Sequence, residues 1–441
     1  MERMLMKELE AWKSRPRRKP LLLKGARQTG KTWLLKEFGR TSFQSMAYVD
    51  LLASSRARAI FDGDFDIQRI VTALAVEAGT RITAGETLIV LDEVQEAPRA
   101  LTCLKYFCQD APEYHVAAAG SYLGIAKHEG VSFPVGKVNT YSLEPLSFLE
   151  YLCAVGEEAA AQALREQGAL GVDVALAGKM ERLLKEYLFV GGMPDAVDSY
   201  ATGGDLASVR EVQEEILVAY DLDFSKHAPL RILERMRLVW EGLPAQLAKE
   251  NKKFVYGAVR PGARARDFEE SIQWLAEYGA VRRVSRVSAL RIPLTAYRDE
   301  GAFKLFCVDV GLLGALAHLP AAALLDGSRL FTEFKGALTE QYVCQQLSCQ
   351  GFVPSYWSSD TGRAEVDFAV ECEGMPVPIE VKAAENLQAK SLKVARDRFG
   401  LERSVRTSLS GYRDEGWLVN VPLWASEPFA KSLRSGQGEA R

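Results

Sequence analysis

The chain has 441 residues, room for two to four domains of roughly 100 to 200 residues each. Apolar residues make up 48% and charged residues 26%, the balance of an ordinary globular protein, which argues against a disordered or membrane-embedded chain. A net charge of -3 excludes a uniformly basic nucleic-acid coat, so any contact with nucleic acid has to come from local patches.

Met1 to Pro20 pairs a short amphipathic helix with the basic run Arg15, Arg17, Arg18, Lys19, read as a solvated helix end or as an arm toward nucleic acid or membrane. From Pro20 to Tyr151, short apolar runs (Leu21 to Leu23, Ala47 to Val49, Leu88 to Leu91, Val116 to Ala119) alternate with longer helical stretches, which predicts a parallel sheet flanked by helices. Gly156 to Leu188 suits helices, and Gly191-Gly192-Met193-Pro194 interrupts them. Arg264 to Glu277 has helical periodicity, Gly279 stops it, and Val281, Val284 and Val287 lie in a strand-prone basic ribbon, an order resembling a winged helix. A long helix is expected around Phe334 to Leu347, then a hairpin from Arg363 to Lys382 and a frayed tail from Ser435. The seven cysteines show no zinc-ligand spacing, and with no cleavable signal or membrane-spanning stretch the reading is a cytoplasmic protein with free thiols.

Gly25-Ala26-Arg27-Gln28-Thr29-Gly30-Lys31-Thr32 satisfies G-x-x-x-x-G-K-[ST] in full. The glycines let consecutive backbone N–H groups face the phosphates of ATP, Lys31 reaches the β and γ phosphates, and the Thr32 hydroxyl ligates magnesium. Leu88-Ile89-Val90-Leu91-Asp92-Glu93 is a buried strand ending in two carboxylates, and buried strands seldom end so for structural reasons. Asp92 is expected to hold magnesium and Glu93 to deprotonate the attacking water. Ser121, after the strand Val116 to Ala119, is placed to touch the γ-phosphate or that water, or else to cap a helix.

These segments resemble AAA-type P-loop ATPases (prokaryotic ATP-binding proteins) whose C-terminal half is a domain of unknown function ending in a restriction-endonuclease-like PD-(D/E)XK fold. The resemblance is carried by Arg18-Lys19-Pro20-Leu21, the P-loop, Leu91-Asp92-Glu93-Val94-Gln95, Ala119-Gly120-Ser121, Ser132 to Val138, Glu144 to Phe148, Gly191 to Pro194 and Lys304 to Leu312. It implies an ATP hydrolase. Where many relatives carry Gly-Arg this chain has Gly136-Lys137, so the arginine finger is left unassigned, with Arg99, Arg40 and Lys105 as candidates.

Between Arg260 and Arg291 seven arginines (260, 264, 266, 282, 283, 286, 291) face four acids. Arg260, Arg264, Arg266, Arg282, Arg283 and Arg286 are therefore candidate contacts to a DNA or RNA backbone, the alternative being arginines paired to nearby acids in a protein-binding module.

Glu365-Val366-Asp367-Phe368 is followed by Pro378-Ile379-Glu380-Val381-Lys382. Alternation puts Val366, Phe368, Ile379 and Val381 on one face and Asp367, Glu380 and Lys382 on the other. A two-residue turn at Glu373-Gly374 would set Asp367 opposite Glu380, and carboxylates roughly 5 Å apart repel unless a cation lies between them. The pattern matches a nuclease core in which Asp367, Glu380 and, on the preceding helix, Glu340 bind magnesium while Glu380 and Lys382 act in cleavage; a merely wet hairpin is the alternative. The expected organisation is an α/β chain: an AAA-type P-loop parallel sheet (1–155), a helical and winged-helix middle (156–300) and a nuclease-like α/β domain (301–441). The expected function is an ATPase coupled to nucleic-acid processing, the alternative an ATP-gated switch whose nuclease-like fold binds without cutting; no membrane partner is expected, and a homo-oligomer is compatible with the sequence.

Overall fold

The structure, a computed structural model, describes residues 1–121, 134–170, 172, 174–249, 252–321, 329–383 and 388–434. The expected tail from Ser435, and Ser132 and Phe133, lie outside them. The chain divides into two compact units, Arg3–Glu144 with Glu277–Ala280, and Met1–Glu2 with Pro145–Ala276 and Val281–Arg441. All seven cysteines are free, and among the described residues no helix is long and apolar enough to cross a membrane.

The first unit holds five strands, β1 Leu21–Lys24, β2 Ser45–Asp50, β3 Thr87–Asp92, β4 His115–Gly120 and β5 Asn139–Ser142, in the order β2-β3-β4-β1-β5. Every pairing is parallel. Both faces are covered, which is why the strands read as unbroken apolar runs rather than as alternation. Leu22, Val49, Ile89 and Leu91 pack on one face with Ile70 and Leu74 of the helix Ile67–Ala78 and Leu101 and Leu104 of the helix Pro98–Asp110. Leu21, Leu23, Leu88 and Val90 pack on the other with Leu9 and Trp12 of the helix Leu5–Lys13 and Leu34 and Phe38 of the helix Lys31–Ser42. The basic run is only partly solvated, because Arg18 donates to the carbonyls of Pro112 and Tyr114. The edge strand β5, too polar to be recognised as a strand, pairs with β1 from Leu21↔Asn139 to Lys24↔Ser142. Glu277–Ala280 also belongs here: Gly279, with φ +88°, lies where a Cβ would meet Ala26 Cα at 3.3 Å.

The second unit carries an eight-stranded mixed sheet in the order β12-β13-β11-β10-β9-β8-β6-β7. The strands are β6 Val281–Val287, β7 Arg298–Cys307, β8 Ser355–Ser358, β9 Glu365–Cys372, β10 Met375–Val381, β11 Ser404–Ser408, β12 Arg413–Asp414 and β13 Leu418–Pro422. The expected boundary after residue 300 falls inside β7, and the ribbon read as a wing is β6, paired antiparallel with β7 and parallel with β8. Hydrogen-bonded on both sides, β6 is part of the sheet, and Pro145–Ala276 and Val281–Arg441 fall in one compact unit. The hairpin turn falls at Glu373-Gly374, both with positive φ (48° and 78°), as a two-residue turn between right-twisted strands requires.

Gly191-Gly192 is explained by a buried carboxylate. Asp309 accepts the Gly192 N–H at 2.7 Å, the Leu312 N–H at 3.1 Å and the Gln345 side-chain amide at 2.9 Å. A Cβ on Gly191 would lie 2.2 Å from Asp309 Oδ1, and one on Gly192 would lie 2.1 Å from the Leu146 carbonyl oxygen, so neither position admits a side chain. Gln345 lies on the helix Arg329–Cys349, which Asp309 thereby ties to the turn. The helix Phe148–Ala154 is capped in a similar way: the N–H groups of Phe148, Leu149 and Glu150 are taken by Gln346, Glu427 and Ser147, satisfying donors that a helix start leaves open. Asp309→Ala strands three buried donors, each costing about 1–3 kcal/mol. We expect the denaturant transition of the second unit to lose about 3 kcal/mol or more; a loss below about 1 kcal/mol would show that the turn is held by something else.

Candidate ATP site and the carboxylate cluster

Strand order assembles the first site. Because β4 lies between β1 and β3, the loop after β1, Ser121 after β4 and Asp92-Glu93 at the end of β3 share the carboxyl edge of the sheet, where open α/β sheets bind ligands. Gly25 has no room for a side chain, since a Cβ would come 2.4 Å from the Leu143 carbonyl oxygen. Gly30, at φ +88°, is the residue from which the helix Lys31–Ser42 starts, and a left-handed conformation there favours glycine. The loop is braced from within by Thr29, whose hydroxyl donates to the Ala26 carbonyl at 2.9 Å, and by Arg3, which donates to the Thr29 carbonyl at 2.9 Å. Gln28 takes a positive φ of 63°, and Ala26 is buried while Arg27 is half-exposed.

Lys31 is buried and donates to the carbonyls of Gly25 at 3.1 Å and Ala26 at 2.7 Å. Thr32 donates to Asp92 Oδ2 at 2.7 Å, so the two expected metal ligands already converge; a hydroxyl and a carboxylate oxygen are the hard donors that suit magnesium. The Asp92 carboxylate also accepts the Tyr48 hydroxyl at 2.9 Å and the Glu93 N–H at 3.0 Å. Tyr48 was hidden in an apolar run; the signal was its place beside Val90 on the strand next to β3. Glu93, at φ +51°, stands beyond the strand and accepts the Gln95 side-chain amide at 2.5 Å. Ser121 is buried. The finger candidates have partners of their own, Arg99 on the carbonyls of Phe61 and Gly63 and Arg40 on Glu37.

Of the six arginines expected at nucleic acid, Arg260, Arg264 and Arg266 are exposed. The other three are engaged: Arg282 on the carbonyls of Cys307 and Val308, Arg283 on Glu269 and over the Phe303 ring at 4.0 Å, Arg286 on Asp299, Ser358 and Asp360.

The C-terminal carboxylates lie in the expected hairpin register. The β9–β10 ladder runs from Cys372↔Met375 to Phe368↔Ile379, one pair short of Asp367 and Glu380, and the Val381 N–H donates to Asp367 at 2.8 Å. The hairpin's polar face is not simply wet, since Glu380 and Glu340 are buried. Among the described residues no group of three or more His, Cys, Asp and Glu stands in an arrangement that could hold a metal ion. A cation nevertheless lies among the acids: Lys304, fully buried, is 2.6 Å from Glu365, 3.6 Å from Glu340 and 3.8 Å from Asp367, and Lys252 pairs with Glu340. Glu380 pairs with Lys382 at 2.8 Å. Burial, then Glu340, pushes the Asp367 carboxyl up to about 7. Burial alone would pull the Lys304 ammonium down, but Glu340, Asp367 and Glu365 hold it above its usual range.

Burial pulls Lys31 down to about 8 despite Glu93 and Asp92, which raise it. Phosphate binding requires the ammonium, so above that pH the free protein must take up a proton to bind ATP. Affinity by calorimetry should be level below about pH 7 and fall toward tenfold per unit above about pH 8.5, and Lys31→Arg should remove the slope because guanidinium stays charged. A level wild-type profile would refute the shifted lysine.

Residues 17–152 match the family model of an AAA domain, 181–323 that of a domain of unknown function (DUF8612) and 335–424 that of another (DUF4143). No curated protein matches. Among solved structures, the Walker-type ATPase paby2304 of Pyrococcus abyssi aligns at 16% identity, covering 71% of this chain and 94% of its own, with a TM-score of 0.45. The Aeropyrum pernix ORC1 protein in complex with DNA aligns at 16% identity over 73% and 93%, TM-score 0.31. Cdc6p from Pyrobaculum aerophilum aligns at 13% identity over 73% and 93%, TM-score 0.27. Motif, strand order and family match agree that the first unit is similar to AAA-type P-loop domains.

Proposed function

We propose that the chain hydrolyses ATP with magnesium and uses the cycle to gate a nuclease-like second unit that recognises its partner, nucleic acid foremost, without cutting it. The observation that carries the ATPase reading is the 2.7 Å contact from Thr32 to Asp92, with Glu93 as the next residue. Lys31 would leave the carbonyls of Gly25 and Ala26 for oxygens of the β and γ phosphates, while the loop N–H groups hold the remaining phosphate oxygens. Thr32 and Asp92 are the residues that would hold magnesium, which when bound neutralises charge on the β and γ phosphates. Glu93 takes the proton of a water whose oxygen bonds to the γ-phosphorus as the bond to the ADP oxygen breaks. Gln95 and Tyr48 fix the two carboxylates, and Ser121 offers a hydroxyl at the same edge.

The Lys304 contacts favour recognition over cleavage. A nucleic-acid partner is supported by the exposed Arg260, Arg264 and Arg266, and a protein partner is the second outcome of the binding test below.

Two experiments bear on this reading. Glu93→Gln should keep ATP binding and lose about 100-fold or more of the hydrolysis rate, whereas Lys31→Ala should lose binding itself; full activity of Glu93→Gln would remove Glu93 as the base. Replacing Arg260, Arg264 and Arg266 together by alanine should weaken binding to DNA or RNA and flatten its salt dependence, by about one unit of slope for each phosphate no longer neutralised. Unchanged binding would move the interface elsewhere, and no binding by the wild type would point to a protein partner.

A further inference from the structure

Three carboxylates converge in the second unit, Glu340 buried and Glu365 and Asp367 half-buried, and so close a gathering favours a neutralising charge. Glu365 and Asp367 come from β9 and Glu340 from the helix Arg329–Cys349. In a nuclease-like reading these acids await a divalent cation. In this chain the position facing all three is filled from within. The Lys304 ammonium has no exposure to solvent, touches Glu365, approaches Glu340 and Asp367 within 4 Å, and lies 5.0 Å from the centre of the Tyr356 ring. That ring supplies a further face suited to a cation. Lys252 completes the arrangement by pairing with Glu340 from outside the sheet.

Lys304 does not reach this position through the local ladder. It lies on the edge strand β7, three strands from β9 in the sheet order, which in a flat sheet would be roughly 14 Å away. The sheet curls instead: β6 and β8 pair over two residues only, Arg286↔Tyr356 and Val287↔Trp357, and the rings of Phe306 on β7 and Phe368 on β9 stand 5.5 Å apart. The curl carries the lysine over the acids.

Resting on the nuclease-like reading of this unit, we infer that Lys304 is the resident counter-ion of the Glu340, Glu365 and Asp367 cluster, occupying the place of a divalent metal and making the unit unable to take one up. The ammoniums of Lys304 and Lys252 offset two of the three carboxylates. A divalent ion entering this arrangement would meet two ammoniums and little net negative charge. Glu380 and Lys382, left without a metal to act beside, form an ion pair with each other.

The test is Mn²⁺ uptake by the full chain without nucleotide, in an Asp92→Asn background so that the P-loop's own metal ligand is removed, read by calorimetry and by the spin-resonance signal of free Mn²⁺. The wild-type cluster should take up none. Lys304→Met should take up about one Mn²⁺ per chain, and adding Asp367→Asn should abolish it. Uptake by the protein with Lys304 intact that disappears on Asp367→Asn would overturn the inference, as would a folded Lys304→Met that takes up none. Should Lys304→Met fail to fold by circular dichroism, the comparison of the intact cluster with Asp367→Asn decides alone. Metal-dependent cleavage by the wild type that vanishes in Glu380→Ala would defeat the non-cutting reading as well, whereas a folded Lys304→Met without uptake defeats only this inference. ATP hydrolysis is measured separately and is untouched by either result.

Discussion

A parallel sheet delivers chemistry only where its strands end, and the order of the strands decides which ends become neighbours. In the first unit β4 separates the strand that feeds the phosphate loop from the strand that ends in Asp92, with Lys24 in register with Gly120 and Leu91 with Ala118. That spacing opens a cleft one strand wide at the carboxyl edge. Thr32 closes it from one side and Asp92 from the other, and Tyr48 steadies Asp92 from the strand beyond. If β1 and β3 were adjacent, Ser121 would have no place between loop and acids.

Buried carboxylates in the second unit are handled in two opposite ways. Asp309 is surrounded by neutral donors, two from the backbone and one from Gln345. Such donors are rigid, and they fix the glycine turn without adding a charge. The cluster around Glu340 uses ammoniums, which attract several acids at once but must themselves be taken out of water. That burial is tolerable only because three carboxylates and an aromatic ring share the lysine.

Much of the first unit was legible from the chain. Continuous apolar runs ending in Gly25, Asp92 and Gly120 are one-dimensional signals, and a two-residue turn at Glu373-Gly374 fixes its hairpin locally. What escaped depends on proximity across the fold. Lys304 sits within an apolar stretch, and nothing in its neighbourhood announces that a curled sheet will bring it onto β9. Tyr48 and Gln95 looked like ordinary strand and turn residues until their hydroxyl and amide met the two acids. The six arginines looked alike, yet three face solvent and three are held by carbonyls and acids, because β6 is flanked on both sides within its sheet instead of projecting as a wing.

The lysine of the phosphate loop is content without a ligand: its ammonium already satisfies itself on the carbonyls of Gly25 and Ala26. Entry of a nucleotide is therefore an exchange of partners, not the filling of a want.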